Sequence, residues 1–347
     1  MSSEIDESSV DTDVDVSTAN TMRERAGENR FKLWLLLRAD RLLVTGVLAL
    51  AVFVIFVMVV TILPPPLIPK LSAQDTIGTM FSTMISAVIT GTTLVVTIGQ
   101  LVLSQENGPL GDQRARMEDS MDFRDYTEEL VGSPSPADPS AFLRSLVDVS
   151  QDRAEAVRDG LEDIDSDQLQ WEVNEFTGSL IGNSEIVREQ LDGAEFGSFD
   201  VLFAALNYNY GWKIFQVERI LNDHEEDLGQ PENDLLNELK VALTMFGPAR
   251  EHIKTLYFEW ALVTLSQMIL YASIPALLIS GIMLTAVDAG TLPGSTLGIE
   301  NMTWLIGAAF TVTLIPFLLF ASYISRIVTV AKRTLAIEPL ILRESQR

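Results

Sequence analysis

Residues 75–106 read DTIGTMFSTMISAVITGTTLVVTIGQLVLSQE. Between Asp75 and Glu106 there is no charged residue. A helix needs ~20 apolar residues to cross ~30 Å of hydrocarbon, and this stretch exceeds that. Thr76, Thr79, Thr83, Ser86, Thr90, Thr93, Thr97, Gln100 and Ser104 follow one another in alternating steps of three and four. A 3.5-residue period keeps one face of a helix turned to the same partner along a left-handed pair. A face turned to lipid has no use for such a polar line. The line therefore faces water or other helices.

Three more uncharged apolar stretches accompany it. The first runs from Leu42 to about Leu63, before Pro64, Pro65 and Pro66. The others run from about Trp260 to Val287 and from about Met302 to Ser325. The first lies too far into the chain and is too long for a cleavable signal sequence. Basic residues give an orientation. Arg30, Lys32, Arg38 and Arg41 precede span one, and Arg114, Arg116 and Arg124 follow span two. Arg250 and Lys254 precede span three, and Arg326, Lys332 and Arg333 follow span four. The loop between spans one and two carries only Lys70, and Asp288 to Glu300 carries no Lys or Arg. The positive-inside rule then predicts that both termini and the middle segment are cytoplasmic, in a multi-pass protein of the cell membrane.

The chain has 347 residues and a formal charge of −24, yet its mean hydropathy is +0.23. Those values conflict in an ordinary soluble protein. They fit membrane spans joined to a very acidic, water-exposed remainder. Abundant Asp and scarce Lys, with a pI near 4.3, resemble the proteins of salt-loving archaea. At molar salt the Debye length is about 3 Å, which screens the self-repulsion of such a surface. On that reading the purified protein loses its fold as salt is lowered, and full stability in dilute buffer would remove the inference. No basic patch with interleaved aromatics points to nucleic acid. There is no Cys, which excludes disulfides, thiolate nucleophiles and Cys-bound metals. The only two His, His224 and His252, leave little for a metal site. No cofactor is implied. No nucleophile elbow, phosphate loop or HExxH is present, so an enzyme is not expected.

These observations predict an all-α membrane protein: four transmembrane helices, with a helical cytoplasmic domain inserted between spans two and three. Residues 1–29 form an acidic tail too polar to order itself. Residues 30–104 form a transmembrane hairpin with spans at about 42–63 and 76–104. Within it, residues 31–41 are basic and apolar together. They form either an interfacial helix or an early start to span one. Residues 105–255 form the helical domain. There Asp138 and Pro139 open a helix whose apolar face includes Phe142, Leu143, Leu146, Val147 and Val149. Asp165 or Ser166 caps a second, which bears Leu169, Trp171, Val173 and Phe176. Apolar residues recur from Phe199 to Leu221 and from Leu235 to Phe246. Residues 256–327 form the second hairpin, with spans at about 260–287 and 302–325, and 328–347 form a cytoplasmic tail. Span three reads as the end of a longer helix, with Pro248 a kink or a break. Tyr257 and Trp260, with Glu259, read as an aromatic belt. His224, among Asp223, Glu225, Glu226 and Asp227, reads as part of a solvated charge run.

Two uses of the polar line are open. A ring of copies can turn span two to a common axis. The hydroxyls then wet a lumen, with Asp75 at the outer mouth and Glu106 at the inner. Acidic mouths favour cations, while Arg114 and Arg116 argue the other way, so the ion is left open. Alternatively, Ser, Thr and Gly let membrane helices approach closely and hydrogen-bond, the commoner use of such residues. The leading expectation is a homo-oligomeric ion channel or channel-like protein lined by span two. The alternative is a non-transporting scaffold or sensor whose cytoplasmic domain binds another protein.

The layout of two spans, a helical block and two more spans resembles the bestrophin anion channels, in outline over residues 42–327. That resemblance implies a pentamer whose second span lines the pore. The aromatic and charged motif of those channels after span two is absent: the chain reads SQENGPLGDQ over 104–113, so no site residue carries over. Met84 to Gly111, with Leu103, Ser104, Gln105, Gly108, Pro109 and Leu110, is similar to a segment of uncharacterised prokaryotic membrane proteins. The whole resembles an uncharacterised haloarchaeal four-span membrane protein.

Overall fold

The computed structural model describes residues 34–63, 75–106, 108–195 and 197–333. The expected acidic tail, the loop carrying Lys70 and the chain from 334 lie outside the described residues. So do the side chains of Arg38, Glu106, Lys332 and Arg333.

The chain is mostly helical, and four helices are long and apolar enough to cross a membrane. A separate π-type turn, Trp34–Arg38, precedes the first. Helix α1 (Arg41–Ile62) starts where the Asp40 carboxylate accepts the Leu43 N–H at 2.9 Å. Helix α2 (Thr76–Glu106) carries the polar line. Helices α3 (Leu110–Val131), α4 (Pro139–Gly160), α5 (Asp167–Leu191), α6 (Asp200–Asn207) and α7 (Tyr210–Asp223) follow. Helix α8 (Gln230–Ala286) is a single 57-residue element. At ~1.5 Å per residue it is about 86 Å long. A two-stranded antiparallel ribbon, β1 (Ser295–Thr296) with β2 (Ile299–Glu300), joins it to α9 (Asn301–Arg333). The ribbon turns through Leu297 and Gly298, both at positive φ (55° and 76°), the backbone of a two-residue hairpin loop.

Two bodies share α8. Its first half closes a core with α4, α5, α6 and α7 through Leu236, Leu239, Leu243 and Phe246. Helix α4 starts as its residues dictate: the Asp138 carboxylate accepts the Ala141 N–H at 2.9 Å, and Pro139 occupies the first turn. Its Leu143, Leu146, Val147 and Val157 lie inside this core. The second half of α8 packs on α2 and α9, and α9 packs on α1. At the α1–α9 crossing Phe56 stacks on Phe310 (5.2 Å) and Phe53 lies by Trp304 (5.8 Å). Gly307 permits that approach: a Cβ there would stand 3.1 Å from both Phe56 and Val57. Helix α8 runs without interruption through Pro248 and Pro275. Neither proline breaks the helix, and both lie on its exposed side.

Candidate functional site

Helix α2 has two lines of the same 3.5 period, on roughly opposite sides at ~100° per residue. Ile77, Phe81, Val88, Val95 and Gly99 are buried in the chain's own bundle. Phe81 meets Met283, Met302 and Ile306 in one cluster, and Val95 meets Leu265, Ile269 and Leu319 in another. Between them Thr92 Oγ1 and Ser273 Oγ share a hydrogen bond at 2.6 Å. At Gly99 an added Cβ would stand 2.9 Å from Ser266 Oγ, so the helices cross there on a residue with no side chain.

The polar line lies on the other side. Thr79, Thr83, Ser86, Thr90, Thr93, Thr97, Gln100 and Ser104 are exposed on the single chain, and Thr76 is half-buried. Neither the apolar clusters against α8 and α9 nor the hydrogen bond across that seam includes any of these eight; the hydroxyl used there is that of Thr92. Most of the hydroxyls bond back to their own helix. Thr79 Oγ1 donates to Asp75 O, Thr83 to Thr79 O and Thr97 to Thr93 O, each at 2.8 Å. Thr93 donates to Ile89 O at 2.9 Å and Ser86 to Ser82 O at 3.2 Å. Such a bond satisfies the hydroxyl proton and leaves the oxygen lone pairs facing outward. Asp75 is exposed at the start of α2, and its carboxylate accepts the Gly78 N–H at 3.0 Å. It therefore doubles as the helix cap. Of Glu106 only the backbone is described.

Three features escaped sequence reasoning. The first is a pair of arginines at one end of the bundle. Arg41, 4% exposed, donates from Nε to Ala39 O (3.1 Å), from Nη1 to Ser322 O (3.2 Å) and from Nη2 to Leu35 O (2.7 Å) and Ala39 O (2.6 Å). Arg326 also donates to Ala39 O and stands over the Phe199 ring, 5.2 Å from its centroid. In the sequence both count merely as basic flanks of spans. Tyr257, read as part of an aromatic belt, is buried, with its ring centroid 5.4 Å from that of Phe199. Trp260 is exposed.

The second is a buried polar chain under α7. Lys213 is fully buried, donates to Asn183 Oδ1 at 2.6 Å and lies 4.4 Å from the Tyr208 ring centroid. Asn183 donates to Asn207 O at 3.2 Å, and Asn207 to Gln190 Oε1 at 2.8 Å. The Tyr208 phenol is wholly buried, and that burial pushes its pKa up to about 12, against the opposite pull of the Ser150 and Ser184 hydroxyls. The third is an ion cluster. His224 is buried, not solvated: its Nε2 lies 3.6 Å from Glu172 and its Nδ1 3.6 Å from Asp227. Arg219 pairs with the same Glu172 at 3.0 Å. Glu172 comes from α5, far along the chain, and spacing around His224 cannot reveal it.

The family of unknown function DUF7972 matches residues 7–347, and the chain belongs to it. No curated protein matches the chain. No solved structure matches it either.

Proposed function

We propose that the chain is a homo-oligomeric ion channel or channel-like protein of the cell membrane, with α2 turned to the common axis. One observation carries this reading. The regular polar line of α2 lies exposed, opposite the face that the chain's own helices cover. An exposed polar line in hydrocarbon is unfavourable, so a second copy or water must meet it. Charge distribution supports termini and the α3–α8 domain on the cytoplasmic side. The acidic surface supports a high-salt setting. No catalytic role, cofactor or nucleic-acid partner enters this reading. The alternative, a non-transporting scaffold or sensor with a cytoplasmic protein partner, is favoured by the hydroxyls that bond back to their own helix. A line satisfied in that way also packs dry against another copy.

The chain lacks native Cys, so single substitutions along α2 report alone. In native-like membranes, impermeant thiol reagents are expected to label Thr83→Cys, Ser86→Cys, Thr90→Cys, Thr93→Cys and Thr97→Cys, and to spare Val88→Cys and Val95→Cys. Thr90→Leu then abolishes most of the conductance and leaves the oligomer intact. Protection through the middle of the span, with loss of assembly in Thr90→Leu, would sink the pore and leave the scaffold.

A further inference from the structure

Arg41 and Arg326 meet on a single carbonyl, Ala39 O, at the point where α1 starts and α9 nears its end. Two guanidinium charges share partners that are dipoles: Ala39 O, Leu35 O, Ser322 O and, on Arg326, the Tyr257 hydroxyl. Among the described residues no carboxylate comes within ion-pair distance of either. Asp40, the nearest in sequence, is committed to the first turn of α1. Arg326 keeps a buried Nε with no hydrogen-bond partner, and its side chain is only half-buried. Among the described residues only Asp40 acts on Arg41 as a counter-charge, and it does so from beyond ion-pair distance. Gathering two cations mainly against dipoles is unfavourable, and an anion arriving there removes that cost.

Place in the fold says which anion. The apolar run of α1 begins one residue beyond Arg41, and Leu42, Leu43 and Val47 are exposed. Trp34, in the preceding turn, is exposed as well, as interfacial tryptophans are. The arginine pair thus lies at the depth of lipid phosphates, with apolar surface for acyl chains directly beside it. Guanidinium forks fit phosphate oxygens in pairs, and basic pockets between spans take anionic head groups. We propose that the Arg41–Arg326 node binds the phosphate of an anionic membrane lipid, one per protomer. Arg41 is the fixed half, held by four bonds, and Arg326 is the half that reaches the head group.

The test uses the full chain in nanodiscs, in salt at which it is folded. One set contains phosphatidylcholine alone, and the other contains phosphatidylcholine titrated with phosphatidylglycerol. Retained lipid is counted by native mass spectrometry, and the thermal midpoint is followed. Wild type is expected to retain phosphatidylglycerol over phosphatidylcholine by about tenfold, saturating at one per protomer, as a charge-assisted pair of ~1.5 kcal/mol implies. Arg326→Gln should lose that preference, and Arg326→Lys should keep part of it. Equal retention of the two lipids by wild type, or an unchanged preference in Arg326→Gln, overturns the proposal. So does linear, unsaturable uptake, which needs no variant and decides the matter should Arg326→Gln fail to fold. Inorganic phosphate in phosphatidylcholine discs is the remaining arm. If it raises the midpoint as phosphatidylglycerol does, the site takes free phosphate and the lipid assignment falls.

Discussion

Phe246→Ala is expected to destabilise the α4–α8 core by about 3–5 kcal/mol, the range for truncating a fully buried aromatic. The Phe246 ring has no exposed surface and packs at 4.6 Å on Tyr208 and 5.7 Å on Tyr210. All three rings belong to the cluster through which the first half of α8 holds α4, α5 and α7. The void cannot collapse easily, because Tyr208 is also fixed beneath Lys213. Phe215→Ala is the control outside this core: Phe215 is 43% exposed and stacks on Trp212 at 5.1 Å, so its removal should cost about 1 kcal/mol. The bundle half of α8 rests on separate clusters around Phe81 and Val95. Hydrogen exchange should therefore show lost protection in α4, α5, α7 and α8 up to about Ile253, with protection kept beyond Leu265. Uniform loss along α8 would mean that the two bodies unfold as one. No loss would mean that the aromatic cluster is not what closes the core.

The four apolar helices were legible because hydropathy over some twenty residues outweighs any local signal. Leu42–Leu63 and Thr76–Ser104 match α1 and α2 within two residues. The third span was legible from about Trp260, where the charges stop, as the end of a longer helix. What was hidden is that this helix runs unbroken from Gln230, because Pro248 imitates a stop. Helix α3 had no readable pattern. Leu110, Met117 and Met121 are exposed, and only Phe123, Thr127 and Leu130 near its end mark the side that meets the core, too short a run to read as a face. On α2 the period was legible, but its orientation was not. The line through Ile77, Phe81, Val88 and Val95 has the same period as the hydroxyls. Only the positions of α8 and α9 tell which line faces inward. Arg41 with Arg326 and Glu172 with His224 are partners far apart in sequence, and no local spacing announces them.

Tyr208 makes the stability of the same core fall in alkali, by up to about 3 kcal/mol. An unfolded tyrosine releases its proton near pH 10. In the folded chain burial pushes that release up to about 12. Below pH 10 the phenol is protonated in both states and adds no pH dependence. Between about 10 and 12 only the unfolded state ionises, so the folded state is progressively disfavoured as pH rises. Tyr208→Phe removes the ionisation and keeps the ring on which Phe246 packs and over which the Lys213 ammonium stands. The lost hydroxyl is buried beside the Ser150 and Ser184 hydroxyls, so its removal at neutral pH should cost about 1 kcal/mol. Denaturation of both proteins from pH 8 to 12 should give curves that run together up to about pH 10 and then separate, with wild type falling further. Other tyrosines and lysines titrate in the same window, but they are common to both chains and largely cancel in the difference. Parallel curves throughout would mean that water reaches the phenol in the folded state, and that the polar chain of Lys213, Asn183 and Asn207 lines a hydrated channel into the core.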